Sequence, residues 1–254
     1  MKRSLLSLAA ALLLTGAALP EQATAQRLRV HCGPTTFVTS AKKAGQMSIS
    51  ADGSLLQLGE TTIATTQIDS ITVDREAYNP LAIAVNYSKA GARLTVPCHL
   101  KDKLTITVDA GKVGFLQAAD LQEEVTYTLS GTSANGSFAM DGEYKAALVL
   151  NNLTLTNTAG PAIDIANGKR INVTLPAGTT TTLTDGAGGT HKACFFINGH
   201  AEFDGAGTLV LTGNTKHAYA SDEYTQFKPT FGQMQVAKAA SDGLHIEQYL
   251  QVQG

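Results

Sequence analysis

Hydrophobic and polar positions alternate in short bursts along most of this chain, and past the first 25 residues no stretch keeps a helical period. From 26 to 110 the bursts are strand-like, as in "MSISADGSLLQLG" and "QIDSITVD". Gly, Asp and Pro break them, with turns expected at Asp52-Gly53 and Asn79-Pro80, so the pattern predicts a small all-β domain. From 111 to 254 the bursts shorten to "YTLSG", "ALVLN", "LTLTN", "AIDIANG" and "TLVLTG", and Thr, Gly, Asn and Ala rise between them.

An internal repeat decides what these short strands build. "KHAYASDEYTQF" (Lys216 to Phe227) overlays "SDGLHIEQYLQV" (Ser241 to Val252) at an offset of 25, and "GTLVL" falls on "GQMQV". "KACFFINGHAEF" overlays "KHAYASDEYTQF" at an offset of 24. One step back, "AIDIANGKRI" overlays "ACFFINGHAE" at 31, with the Gly-rich "TDGAGGT" (Thr184 to Thr190) as the insertion that lengthens it. A helix-free repeat of about two dozen residues is the signature of a parallel β-helix, whose coils bury their faces only by stacking.

In such a stack equivalent residues lie about 4.8 Å apart. The alignment gives a turn column, Asn167, Asn198, Asp222 and Glu247, and a second column two residues on, Lys169, His200, Tyr224 and Tyr249. The amides are expected to form a ladder at the corner. Asp222 and Glu247 repel unless a cation or a polar partner lies between them; a bound calcium would relieve this, with Asp185 and Asp242 as further oxygen-rich turns. No EF-hand loop or Gly-Asp nonapeptide array is present. The second column puts aromatic and hydrogen-bonding groups along one wall, which suits a linear glycan.

Composition narrows the partners. With 19 basic and 21 acidic residues there is no basic field for nucleic acid. Met1 to Ala25 starts "MKR", runs apolar and ends in "ATA", the pattern of a cleaved secretory signal rather than a membrane span, so the product is expected to be secreted or on the cell surface. In an exported protein Cys32 and Cys98 either pair or stay thiols, while Cys194 in "ACFFI" reads as buried. His31 and His99 form no motif.

The run from "YTLSGTSANGSFAMDGEYKAALVLNNLTLTN" through "KHAYASDEY", followed by "SDGLHI", resembles the secreted β-helical carbohydrate-binding domain proteins of gut Bacteroidetes. These are similar to cellulose- and pectin-binding β-helices of clostridia. The resemblance covers about Val125 to Gly254. It implies a right-handed parallel β-helix akin to pectate lyases, plant-type polysaccharide as ligand, and calcium in the turns.

The leading expectation is therefore a non-catalytic polysaccharide-binding module. A lyase needs an Arg or Lys base facing a cation, and the β-helical region offers a single arginine, Arg170, beside Lys169 in "NGKRI", with Lys192, Lys216, Lys228 and Lys238 scattered; a hydrolase needs a carboxylate pair, for which Asp222 and Glu247 are candidates. An adhesin or structural solenoid is the third reading. The segment "SDGLHIEQYLQVQG" reads as one more coil, with Leu244 and Ile246 inward, Glu247 at the corner and Tyr249 on the wall. Its backbone edge after Val252 predicts a covering partner or self-association.

Overall fold

The computed structural model describes residues 27–253. The leader expected at 1–25 lies outside them. Among the described residues no helix is long and apolar enough to cross a membrane. The chain separates into two compact units.

The first unit takes the described residues as far as Pro80, together with Pro97–His99. Arg27–Cys32 is flanked by Thr35–Ser40 and Ser70–Asp74, both antiparallel to it. Met47–Ile49, Leu55–Leu58 and Thr61–Ala64 form a second antiparallel meander. The expected turn at Asp52-Gly53 joins two of these strands. Gly53 takes φ +72, and the Asp52 carboxylate accepts the Ser54 N–H at 3.1 Å and the Ser50 hydroxyl at 2.6 Å. Asn79-Pro80 is no hairpin: Ser70–Asp74 pairs with Arg27–Cys32, and Pro80 is where the unit ends. His31 bonds Thr36 and Thr72, whereas His99 faces Tyr78, so the two histidines serve separate places. Burial, with Cys32 nearby, pushes the Cys98 thiol up to about 12.

The second unit comprises Leu81–Val96 and the described residues from Leu100 onward, and it holds an all-β solenoid of about six turns. Each full coil contributes to three walls. The first wall stacks Gly111–Gln117, Gly136–Asp141, Ile163–Ile165, Ala193–Ile197, His217–Ser221 and Leu244–Ile246 in parallel. The second stacks Ala82–Ser88, Val125–Ser133, the start of Ala146–Thr156, Ile171–Thr174, Ala201–Asp204, Thr225–Phe227 and Leu250–Val252. The third takes the end of Ala146–Thr156, then Thr180–Thr184, Thr208–Gly213 and Gln233–Ala239. Antiparallel strands Gly91–Pro97 and Leu104–Asp109 lie at the N-terminal end of this stack, against Ala82–Ser88 and Gly111–Gln117. Parallel stacking thus reaches back to Ala82, well before position 111.

Alternation makes the interior, with one break in the longest strand: Leu148 and Leu150 point inward, the phase shifts at Asn152 (φ +50), and Leu153 and Leu155 point inward beyond it, while Ile171 with Val173 follow in the next coil. Two aromatic clusters fill the lumen, Phe115, Tyr127 and Phe138, then Phe195, Phe203 and Tyr219, with ring centroids 5.0–6.1 Å apart. Each ring burial stabilises the stack by about 1.5–3 kcal/mol. Buried tyrosine hydroxyls keep partners: Gln117 donates to Tyr127 at 3.0 Å, and Tyr219 meets Thr225 at 2.9 Å. Cys194 is buried as expected, its thiol also pushed up to about 12 by burial. Leu244 and Ile246 are half-buried in the last described coil, and Leu250 and Val252 are exposed.

The 24- and 25-residue offsets hold in the register, as Phe195↔Tyr219 and Tyr219↔Leu244 show. The offset of 31 resolves into three values. It is 28 on the third wall (Thr154↔Thr182), 32 on the first (Ile163↔Phe195) and 30 on the second (Ile171↔Ala201). "TDGAGGT" is one insertion, but the turn around Pro176 and Gly178 carries another, and the corner around Asn167 is itself longer than its successor.

Candidate functional site

The corner where the first wall passes into the second carries the candidate residues. His200, Tyr224 and Tyr249 each directly precede a second-wall strand, and the registers Ala201↔Thr225 and Thr225↔Leu250 place them one above another. The His200 and Tyr224 rings stack at 4.5 Å and 11°, and Tyr224 and Tyr249 at 4.9 Å and 3°. The coil spacing itself imposes this contact. Facing rings cover one another, so the column presents ring edges, the tyrosine hydroxyls and imidazole nitrogens, where the sequence suggested open aromatic faces. Tyr249 alone of the three is more than half exposed, at 54%. Burial, with Glu202 adding to it, raises the pKa of Tyr224, so its hydroxyl stays protonated.

Lys169 is not in this column. The second-wall register Ile171↔Ala201 puts Arg170 beneath His200, and Ala146↔Ile171 puts Lys145 beneath Arg170. Lys169 is exposed, and its backbone N–H donates to Asn167 Oδ1 at 2.8 Å. The corresponding member of the coil before Lys145 is Glu124, which binds Arg170 at 2.9 Å and Lys145 at 3.2 Å. Burial alone would raise the Glu124 pKa, but these two cations hold it below its usual value. The column therefore runs Glu124, Lys145, Arg170, His200, Tyr224, Tyr249, half ionic and half aromatic. Beside it on the second wall, Asn172, Glu202, Gln226 and Gln251 form a polar row in register, with Gln226 donating to Gln251 at 3.2 Å and Lys228 on Glu202 at 2.6 Å.

The amides of the turn column do not bond one another. Asn167 is buried and donates to the Tyr144 carbonyl at 2.6 Å, while Asn198 donates to the Ala166 carbonyl at 2.9 Å. Each ties its corner to the backbone of the preceding coil, which the longer corner around Asn167 makes necessary.

The acidic residues expected to hold calcium are spread over several turns. Asp185 is fully buried. It accepts from the backbone N–H of Asn214 and of Thr215, and His191 Nε2 lies 2.7 Å from Oδ2. Asp222 and Glu247 do stack one coil apart, as Ser221↔Ile246 requires. Lys192 Nζ takes Asp222 at 2.7 Å and His245 Nε2 takes Glu247 at 3.1 Å, so the expected repulsion is relieved by the chain's own groups. Asp242 stands between His217 and His245. These carboxylates build no shared oxygen cage of the kind calcium prefers, and nitrogen donors accompany all four.

The outer face of the first wall holds a cleft of about 390 Å³ that the sequence reading did not find. Asp164, His191, Lys192, Phe196, Asn198 and Asp222 line it. Lys192 Nζ sits 4.9 Å from the centre of the Phe196 ring. Burial raises the pKa of Asp164, and the neighbouring Asp141 adds to it against the effect of His191. These residues belong to alternating strands and a Gly-rich turn, and only the three-dimensional register shows that they converge.

Comparison with known proteins follows the solenoid. A family model described as carbohydrate-binding domain-containing protein matches residues 117–254. A carbohydrate-binding domain-containing protein of Acetivibrio thermocellus is 27% identical over 121 residues, a match that covers 42% of this chain and 42% of the relative. The chain thus matches about two-fifths of that relative's length. The solved structure of the polysaccharide lyase-like protein from C. thermocellum, a gadolinium derivative, is similar with a TM-score of 0.50 at 16% identity, covering 67% of this chain and 82% of that one. At that identity the likeness is one of fold.

Proposed function

The chain belongs to the family of carbohydrate-binding domain-containing proteins, and from that premise we propose that it is an exported, non-catalytic module that binds plant-type polysaccharide along the corner column. The observation that carries the reading is the continuous stack of His200, Tyr224 and Tyr249, flanked by Glu202, Gln226 and Gln251. An extended glycan laid along the solenoid axis meets, at each of these three coils, a hydroxyl or imidazole nitrogen of the column and a carboxylate or amide of the row beside it, all partners for its own hydroxyls. Stacking fixes the rings before ligand arrives, so little side-chain entropy is lost on binding. The leader pattern at 1–25 supports export.

The test is retention of the purified protein on insoluble cellulose and on immobilised polygalacturonate and xylan. We expect retention on at least one, with Tyr224→Ala weakening it about tenfold or more, equivalent to about 1.4 kcal/mol. A null result across the panel, or full retention by Tyr224→Ala, overturns the proposal.

A second reading rests on the first-wall cleft, where Asp164 has a raised pKa and Lys192 pairs with Asp222. A raised pKa brings the Asp164 carboxyl towards the range in which such a group can serve as a general acid. Release of reducing ends or unsaturated uronides from the retained polysaccharide, abolished by Asp164→Asn, would establish that reading.

A further inference from the structure

At the start of two successive first-wall strands the solenoid places His217 and His245, with Asp242 in the turn that leads into the second of them. Asp242 Oδ2 lies 3.1 Å from His217 Nδ1 and 3.2 Å from His245 Nδ1. All three candidate ligand atoms fall within 4.8 Å of one another. The ligand atoms of a tetrahedral ion with bonds of about 2 Å stand roughly 3.3 Å apart. The geometry points to a site for a divalent metal of the zinc class, held by His217 Nδ1, His245 Nδ1 and an Asp242 oxygen.

The surroundings of His245 and Asp242 suit this role, and an ion at His217 would take the place of one weak contact. Glu247 Oε1 lies 3.1 Å from His245 Nε2, so a proton on Nε2 is held by a carboxylate and the Nδ1 lone pair is left for an ion. This is the outer carboxylate that commonly orients a ligating histidine. His217 is 2% exposed, its Nδ1 receives only a 3.3 Å contact from the Asp242 N–H, and its Nε2 is buried without a partner. The two imidazoles stack at 4.2 Å and 12°, so their Nδ1 atoms face one carboxylate oxygen side by side. Convergence on an ion takes a rotation of His245, whose side chain is 40% exposed. Asp242 is 55% exposed, which leaves the fourth position open to water.

The donor set also selects the metal. Two imidazole nitrogens and one carboxylate suit zinc and its neighbours, whereas calcium takes oxygen ligands almost exclusively. The site does not depend on the glycan reading, since neither histidine belongs to the corner column.

The experiment uses tag-free protein, stripped with chelator and titrated with zinc chloride by calorimetry, with calcium chloride in parallel. We expect about one equivalent of zinc, a raised melting temperature reversed by chelator, and at least tenfold weaker binding in both His245→Ala and Asp242→Asn. Both substitutions are at exposed side chains, so the variants should fold, and unchanged circular dichroism confirms it. Cobalt(II) in place of zinc should give the visible absorption of a four-coordinate ion, lost in His245→Ala. Absence of zinc uptake, uptake undiminished in His245→Ala, or calcium bound as tightly as zinc overturns the inference.

Discussion

At the residue scale, the chain spends its buried charges on tying one coil to the next. Asp185 shows the arrangement most fully: its carboxylate is closed to solvent, caps the backbone N–H groups of Asn214 and Thr215 in the following turn and meets His191. Asn214 answers by donating its amide to the Asp185 carbonyl at 2.9 Å. Removing such an acceptor strands two buried donors. Asp185→Ala should therefore cost about 3 kcal/mol, and Asp185→Asn, which keeps one acceptor oxygen, distinctly less; the urea midpoints of the two variants measure this. The sequence marks this position only as "TDG", a turn dipeptide with calcium as one use, because a carboxylate that serves backbone and one that serves a cation look alike in a turn.

At the element scale, the corners set the limits of tolerance, since there the chain passes close beneath the coil before it. Gly205 has φ +83, and a Cβ added there would stand 2.2 Å from the Leu175 carbonyl oxygen. Gly178 has a similar φ of +74 but open space around it. Gly178→Ala should cost about 1–2 kcal/mol for the left-handed backbone alone, whereas Gly205→Ala adds a clash with main chain and should lower the melting temperature several times further. Thermal melts of the two variants test the contrast. Corners also explain what could be read in the sequence. The periods of 24 and 25 hold on the first and second walls and place His200, Tyr224 and Tyr249 in one column, while the third wall takes up a bulge between Leu211 and Thr212. The step of 31 falls between the offsets of 32 and 30 on the first two walls, and its one-residue difference from the second-wall value puts Lys169 in the expected column where Arg170 belongs. The solenoid's beginning at Ala82 was hidden for the same reason: Ala82–Ser88 pairs with Val125–Ser133 at a separation of 44 residues, far from any period. The cleft and the His217, Asp242 and His245 group needed two coils superposed before their side chains met.

At the scale of the whole molecule, acidity should be the main solvent variable. Asp74, bonded to Arg27 and then Arg29, and Asp204, bonded to the Thr230 hydroxyl and the Gly205 N–H, have pKa values below the usual 3.8; Glu124 is lowered likewise. A carboxylate whose folded pKa is depressed stabilises the fold above its unfolded pKa and loses that contribution as pH falls through the folded value. Asp164 acts in the opposite sense, since its raised pKa favours the fold in acid. With more depressed carboxylates than raised ones, and with burial lowering the pKa of His31 and His217, the urea midpoint should decline gently below about pH 6.5 as the unfolded chain binds the histidine protons and fall steeply below about 4. The placement of the tyrosines has a different consequence. The chain has no tryptophan and seven tyrosines, so its intrinsic ultraviolet emission is tyrosine emission throughout. Tyr87, Tyr127 and Tyr219 are sealed in the core, while Tyr224 and Tyr249 stand at the corner. The candidate ligand face thus carries two of the seven fluorophores, beside three sealed in the core and the half-buried Tyr78 and Tyr144, and occupancy of that face is readable without any label.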